Sequence, residues 1–207
     1  MAYEKCAEVS PEIWQDFEKQ DPGEVSARTG AVFRQGLYHL PFLERKLLID
    51  PAGRQVKLDD APGADPGFRV CLTALLYLLK VEIAALGPPV SPLELPGGTT
   101  FFQERGPHSL PAAPLEARFG QDLAGFLSAG ARLKAEPRPL GDAALTLQVF
   151  PGVAVEVILW LADDEFPAQV SFTVPANLDR FWHLDAVLGL LDVATRELLK
   201  AAGLPAA

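Results

Sequence analysis

The sequence predicts an α+β fold: an antiparallel sheet that includes a C-terminal three-stranded meander, with helices packed on it. Three observations carry this. Residues 144–174 contain three runs of period-two alternation separated by short turns. Strands joined this way must pair antiparallel, because a parallel pair needs a long crossover. Helical and strand-like segments come in blocks, not in the β-α alternation of a doubly wound sheet. The chain also closes on one helical stripe, Leu184, Val187, Leu188, Leu191, Ala194 and Leu198, which has the period of an amphipathic helix.

In chain order, Ser10-Pro11-Glu12 starts a first helix, with Ser as N-cap, Pro at the first position and Glu at the positive end. Asp21-Pro22-Gly23-Glu24 starts a second, and Gly30 ends it. Residues 31–33, 37–40, 46–49 and 55–58 read as short strands, punctuated by Gly36 and Pro51-Ala52-Gly53. They either join the meander or form a small sheet of their own. Asp65-Pro66 then caps a helix running to about Leu86, apolar almost all round and so expected at the centre. Residues 90–114 are a proline-rich loop, in which Leu95-Pro96-Gly97-Gly98 reads as a turn leading into a Phe101-Phe102 strand. Residues 115–133 read as one or two amphipathic helices weakened by glycines, and residues 175–182 as a short helix before the last one. Gly203 and Pro205 end that last helix.

The meander is the most distinctive part. Val153, Val155, Val157, Leu159 and Leu161 share one wholly apolar face, and Ala154, Glu156, Ile158 and Trp160 share the other. Phe150-Pro151-Gly152 turns into this strand, and Asp163-Asp164-Glu165-Phe166-Pro167 turns out of it. The second face of the meander carries Thr146, Gln148, Glu156, Ser171 and Thr173, and is expected to face water, a ligand or a partner.

A chain of 207 residues with 49% hydrophobic residues suits one globular domain over residues 1–207, with residues 1–60 as a possible subregion. A net charge of −9 argues against a nucleic-acid groove and against electrostatic binding to anionic lipid. The segment Met1–Lys5 has no apolar signal core, and the longest apolar run, Val70–Leu79, is too short to span a bilayer. The expectation is a cytoplasmic protein, not inserted in a membrane. Its two cysteines, Cys6 and Cys71, are then expected as free thiols, with Cys71 acting as a small hydrophobe.

Two stretches are candidates for chemistry. Asp163, Asp164 and Glu165 could hold a hard cation through oxygen ligands, or crowd one carboxyl toward general acid–base use. The competing reading is a solvated acidic turn, pinned against the core by Phe166-Pro167. Gly97, Gly98, Thr99 and Thr100 offer backbone N–H groups and hydroxyls to an anion, without the spacing of a P-loop; the competing reading is an ordinary turn. Among the three histidines, His108 in the long loop is the functional candidate, and it or another acid is the candidate fourth ligand for a metal. His183 reads as structural.

The segments Tyr3-Glu4, Gly30-Ala31 with Tyr38, Leu95-Pro96-Gly97-Gly98 with Phe102, Gly141-Asp142, and Trp160 with Asp163-Asp164-Glu165-Phe166-Pro167-Ala168 carry a resemblance. The chain resembles the bacterial and archaeal proteins grouped as Domain of Unknown Function 3786, over nearly its whole length. The resemblance implies an anaerobic setting. Some relatives carry an added cysteine-rich iron–sulfur segment, which points to redox or one-carbon (corrinoid) metabolism; this chain lacks that segment. Members usually carry an acidic residue after the third meander strand, where this chain has Phe172-Thr173-Val174-Pro175-Ala176-Asn177. No catalytic residue transfers, and the resemblance names no cofactor.

The expected function is therefore a non-enzymatic ligand-binding or accessory protein with a small ligand or a protein partner. Its candidate ligand-binding residues are Gly97, Gly98, Thr99, Thr100, Trp160, Asp163, Asp164 and Glu165. One alternative is a metal-dependent, hydrolytic enzyme using Asp163, Asp164 and Glu165 with His108 or another acid. Another is a protein-interaction subunit with an exposed apolar patch at Phe101-Phe102.

Overall fold

The computed structural model describes residues 3–103 and 105–203. Met1, Ala2 and Pro205, which entered the readings above, lie outside the described residues. The chain begins with a 3-10 turn at Cys6–Glu8, then α1 (Pro11–Glu18) and α2 (Pro22–Thr29). Both helices start as their caps dictate: the Ser10 hydroxyl accepts from Glu12 N, and the Asp21 carboxylate accepts from Glu24 N at 2.9 Å. Gly30 takes the left-handed conformation that ends α2.

Strands β1 (Val32–Arg34), β2 (Leu37–Phe42), β3 (Arg45–Asp50) and β4 (Gln55–Leu58) follow as a four-stranded antiparallel sheet in sequence order. This sheet is separate from the meander, although Leu43 N donates across to Val149 O at 3.3 Å. Next come α3 (Phe68–Lys80), the short β5 (Pro89–Val90), α4 (Gly98–Phe101), α5 (Ala113–Phe119) and α6 (Leu123–Arg132). The second sheet is completed by β6 (Glu136–Arg138), β7 (Ala143–Phe150), β8 (Val153–Trp160) and β9 (Gln169–Pro175), and α7 (Leu184–Ala201) closes the chain. The order in this sheet is β5-β9-β8-β7-β6, all antiparallel. The fold is α+β, and β7-β8-β9 is the meander expected from the alternation.

The apolar face of β8 is fully buried from Val153 to Leu159, and residues of both sheets share one hydrophobic cluster. The long helices exchange the roles the sequence suggests. α3 is shorter than expected and buries seven of its 13 residues, whereas α7 buries twelve of 18. The more enclosed helix is α7, because it packs on α3, α5 and α6 and on strands β7 and β8 at once. Three smaller expectations are corrected. Residues 98–101 form a helical turn instead of entering a strand. The segment after β9 is a 3-10 turn, Leu178–Arg180. Asp65 does not cap α3: the N-cap is Gly67, and Asp65 accepts from Gly67 N and Cys6 N.

The expectation of free thiols is also overturned. Cys6 and Cys71 form a disulfide, because docking of the N-terminal turn on α3 brings together two residues 65 apart in sequence. No helix among the described residues is long and apolar enough to cross a membrane.

Tyr77, fully buried on α3, joins the two halves. Its hydroxyl lies 2.5 Å from Thr29 O at the end of α2 and 2.9 Å from Pro151 O in the β7–β8 turn. A phenol has one proton to donate, so the two carbonyls share it. Tyr77→Phe keeps the packing and strands both acceptors. It is expected to destabilise the fold by about 1–3 kcal/mol, read as a lower urea midpoint with unchanged slope. An unchanged midpoint would show that the two carbonyls find other donors.

Candidate functional site

At the end of β8 the chain leaves the sheet, and its backbone must find donors and acceptors elsewhere. Gly141-Asp142, just before β7, supplies the first pair: Asp142 N donates to Leu159 O at 2.9 Å, and the Asp142 carboxylate accepts from Leu161 N at 2.7 Å. Gly141 has φ +57°, and a Cβ there would meet Leu159 O at 2.6 Å, so glycine is needed for this approach. Ala162 N then donates to Gly120 O at the end of α5. Asp163 Oδ1 accepts from Glu165 N at 2.9 Å and Phe166 N at 2.7 Å, and Asp163 N donates back to Phe166 O. The Glu116 carboxylate on α5 accepts from Val170 N as the chain re-enters the sheet in β9.

These braces leave an open cleft of about 710 Å³, lined by Glu116, Asp142, Trp160, Asp163, Phe166 and Gln169 among others. A second cleft of about 670 Å³ adjoins it and shares Glu116, Pro167 and Ala168. Trp160 is 39% exposed and Phe166 66% exposed. The expectation that Phe166-Pro167 pins the turn against the core is therefore corrected: backbone hydrogen bonds hold the turn, and its aromatic ring faces outward. Within 4 Å none of Glu116, Asp142, Asp163, Asp164 and Glu165 forms an ion pair among the described residues. The guanidinium of Arg118 on α5 is engaged by Asp122 at 2.6 Å.

The remaining candidates lie elsewhere. Gly97 caps α4 in the left-handed conformation, and a Cβ on Gly98 would meet Pro92 O at 2.3 Å. The glycine pair is thus explained by a backbone crossing, and Gly97, Gly98, Thr99 and Thr100 line neither cleft. Phe102 is buried and Phe101 is half-buried, with His108 stacked on it at 4.2 Å between centroids. The apolar patch expected at Phe101-Phe102 is therefore absent; both rings are drawn to the core. His108 Nε2 lies 3.8 Å from Asp185, not beside the acidic turn's cleft. Among the described residues, no group of three His, Cys, Asp or Glu side chains is placed to hold a metal ion.

The polar face of the meander is occupied by its own side chains. Glu156, only 8% exposed, accepts from Thr146 and Thr173 hydroxyls at 3.3 Å and lies 3.8 Å from Arg138. Sequence reasoning missed the part played by Glu116 and Asp142 in bracing the cleft. For Glu116 no local signal existed, because its partner Val170 is 54 residues away.

A family model described as Domain of unknown function (DUF3786) matches residues 21–197. The chain belongs to this family. No curated protein and no solved structure matches the chain. The DUF3786 span contains the whole cleft, from Glu116 to Gln169, and excludes Cys6.

The amides of Phe166 and Glu165 hold the Asp163 carboxyl below its ordinary value of 3.8. A folded pKa lowered in this way contributes stability that is present above the unfolded value and lost as pH falls through the folded one. The Glu165 and Phe166 amide resonances are expected to titrate together with a midpoint below 3.8. Asp163→Ala should speed hydrogen exchange at both amides, while Asp163→Asn, which keeps a carbonyl acceptor, should not. A midpoint at or above 3.8 would contradict this role for the carboxylate.

Proposed function

We propose that this chain is a non-catalytic binding protein whose site is the cleft at the end of β8. The cleft receives a positively charged group carried on an apolar stem. The observation that carries this reading is the set of carboxylates, Glu116, Asp142 and Asp163, that form no ion pair among the described residues, around the exposed Trp160 and Phe166 rings. Asp164 and Glu165 extend the same turn. Backbone amides orient Asp142 and Asp163 in advance, so little ordering remains to be done on binding. Aromatic faces attract cations as well as apolar stems. Catalysis is less well supported, because Asp163 is shifted away from neutral pH, where a proton carrier would need to sit. The anion-binding reading of Gly97–Thr100 finds no support in a backbone crossing that leaves those residues outside both clefts.

The protein contains its own reporter. Of three tryptophans, Trp14 and Trp182 are buried and Trp160 is exposed. A capped peptide of arginine and glycine should change Trp160 fluorescence at low salt, and the same peptide with glutamine or glutamate for arginine should not. Asp142→Asn and Asp163→Asn should each weaken binding several-fold, on the order of 1 kcal/mol or less for an exposed charge, and added salt should weaken it further. An equal response to basic, neutral and acidic peptides would overturn the charge reading. Silence toward these peptides and a panel of free amines would overturn the site.

A further inference from the structure

We infer that the Cys6–Cys71 disulfide is a redox modification site whose substrate is a dithiol reductant, and that its reduction releases an N-terminal strap from the wall of a separate cleft. The two sulfurs have unlike surroundings. Cys71 sits on α3 with no exposed surface, whereas Cys6 is partly exposed and lines a small open cleft of about 270 Å³. Arg54, Lys57 and Asp65 line that cleft too, with Arg54 paired to Glu18 and the Asp65 carboxylate bonded to Cys6 N, so it is exposure that favours attack at Cys6. Thiol–disulfide exchange requires attack by a thiolate on an accessible sulfur.

The step balances with the dithiol alone. One thiolate attacks Cys6 Sγ; the S–S bond breaks, and Cys71 leaves and takes up a proton. The second thiol of the reductant then attacks the mixed disulfide and frees Cys6. The reductant is oxidised to its disulfide, and two protein thiols are formed.

Apart from the disulfide, the strap, residues 3–9, is held by one core side chain and a few surface contacts. Val9 is its one core residue, while Tyr3, Glu4, Lys5, Ala7 and Glu8 are exposed. Besides packing of the Cys6–Glu8 turn on α3 and β4, its contacts are the stacking of Tyr3 on Phe68, the bond from Phe68 N to Glu4 O at 2.9 Å, and the bond from Cys6 N to the Asp65 carboxylate. Tyr3 and Glu4 form one wall of a cleft of about 610 Å³, whose other walls include Asp65, Arg69 of α3, and Arg196, Glu197 and Lys200 of α7. The cationic side chains are already partly exposed and ion-paired, Arg69 and Arg196 with Asp192 and Lys200 with Glu197, so releasing the strap opens one wall of the cleft and leaves those pairs in place. Cys6 precedes the family-matched residues 21–197 and Cys71 falls within them, so the latch joins a segment outside the matched span to a helix inside it.

The test uses the full chain, oxidised or treated with dithiothreitol without denaturant. The oxidised protein should show no alkylatable thiol, and the treated protein two, with Cys6 modified first. Reduction should accelerate hydrogen exchange at the Phe68 amide and tryptic cleavage after Lys5 by about tenfold or more, leaving β8 amides unchanged, as local opening requires. Cys6→Ser should reproduce the reduced pattern without a reductant; this position is chosen because it is not in the core. Resistance of the native disulfide to dithiothreitol would overturn the proposal. So would unchanged strap exchange in both the reduced protein and Cys6→Ser, or loss of protection throughout β8 on reduction.

Discussion

Two backbone carbonyls that no strand or helix satisfies, at Thr29 and Pro151, meet at the hydroxyl of Tyr77. Burying an unpaired carbonyl is costly, so this phenol determines how the helical N-terminal part, α3 and the meander come together. Burial raises the Tyr77 pKa well above that of a free phenol, which keeps the proton in place as donor. The Tyr77 ring stacks on Phe150 at 5.0 Å, and Phe150 contacts Phe42 of the first sheet. The same residue therefore supplies the polar satisfaction and part of the aromatic packing between the two sheets.

A second constraint shapes the surface. Where β8 leaves the sheet, its N–H groups are met by carboxylates instead of by a neighbouring strand. Asp142, Asp163 and Glu116 each accept from the main chain, and no cation joins them within ion-pair distance among the described residues. Amide donors can hold such charges locally, but the field they project into the cleft is not neutralised. Structural bracing and a negative, aromatic-walled cleft thus arise from the same side chains. This is why the acidic turn is at once an architectural turn and a candidate binding site.

Much of the fold was legible because its signals are local. Ser10-Pro11, Asp21-Pro22 and Gly30 mark helix ends through bonds spanning a few residues, and the alternation of residues 144–174 places a buried face on β8. The failures share a cause. Phe101-Phe102 has strand-like composition, yet Gly98 must pass against the Pro92 carbonyl, and the chain turns helically there. Phe166 looked like an anchor, but turn geometry directs it outward. The relative enclosure of α3 and α7 depends on how many elements pack on each, which no stripe of residues reveals.

The candidate site was legible only in part. Trp160 and Asp163–Phe166 stand out as a string, and Gly141-Asp142 was already among the segments carrying the family resemblance. By itself the sequence determined the elements, the antiparallel meander and the presence of an acidic turn, because these depend on periodicity and on bonds between near neighbours. Tertiary structure alone decided that Glu116 and Asp142 join that turn, that Gly97–Thr100 does not, and that Cys6 meets Cys71. Those outcomes depend on contacts between residues tens of positions apart, whose proximity is created by burying one shared core.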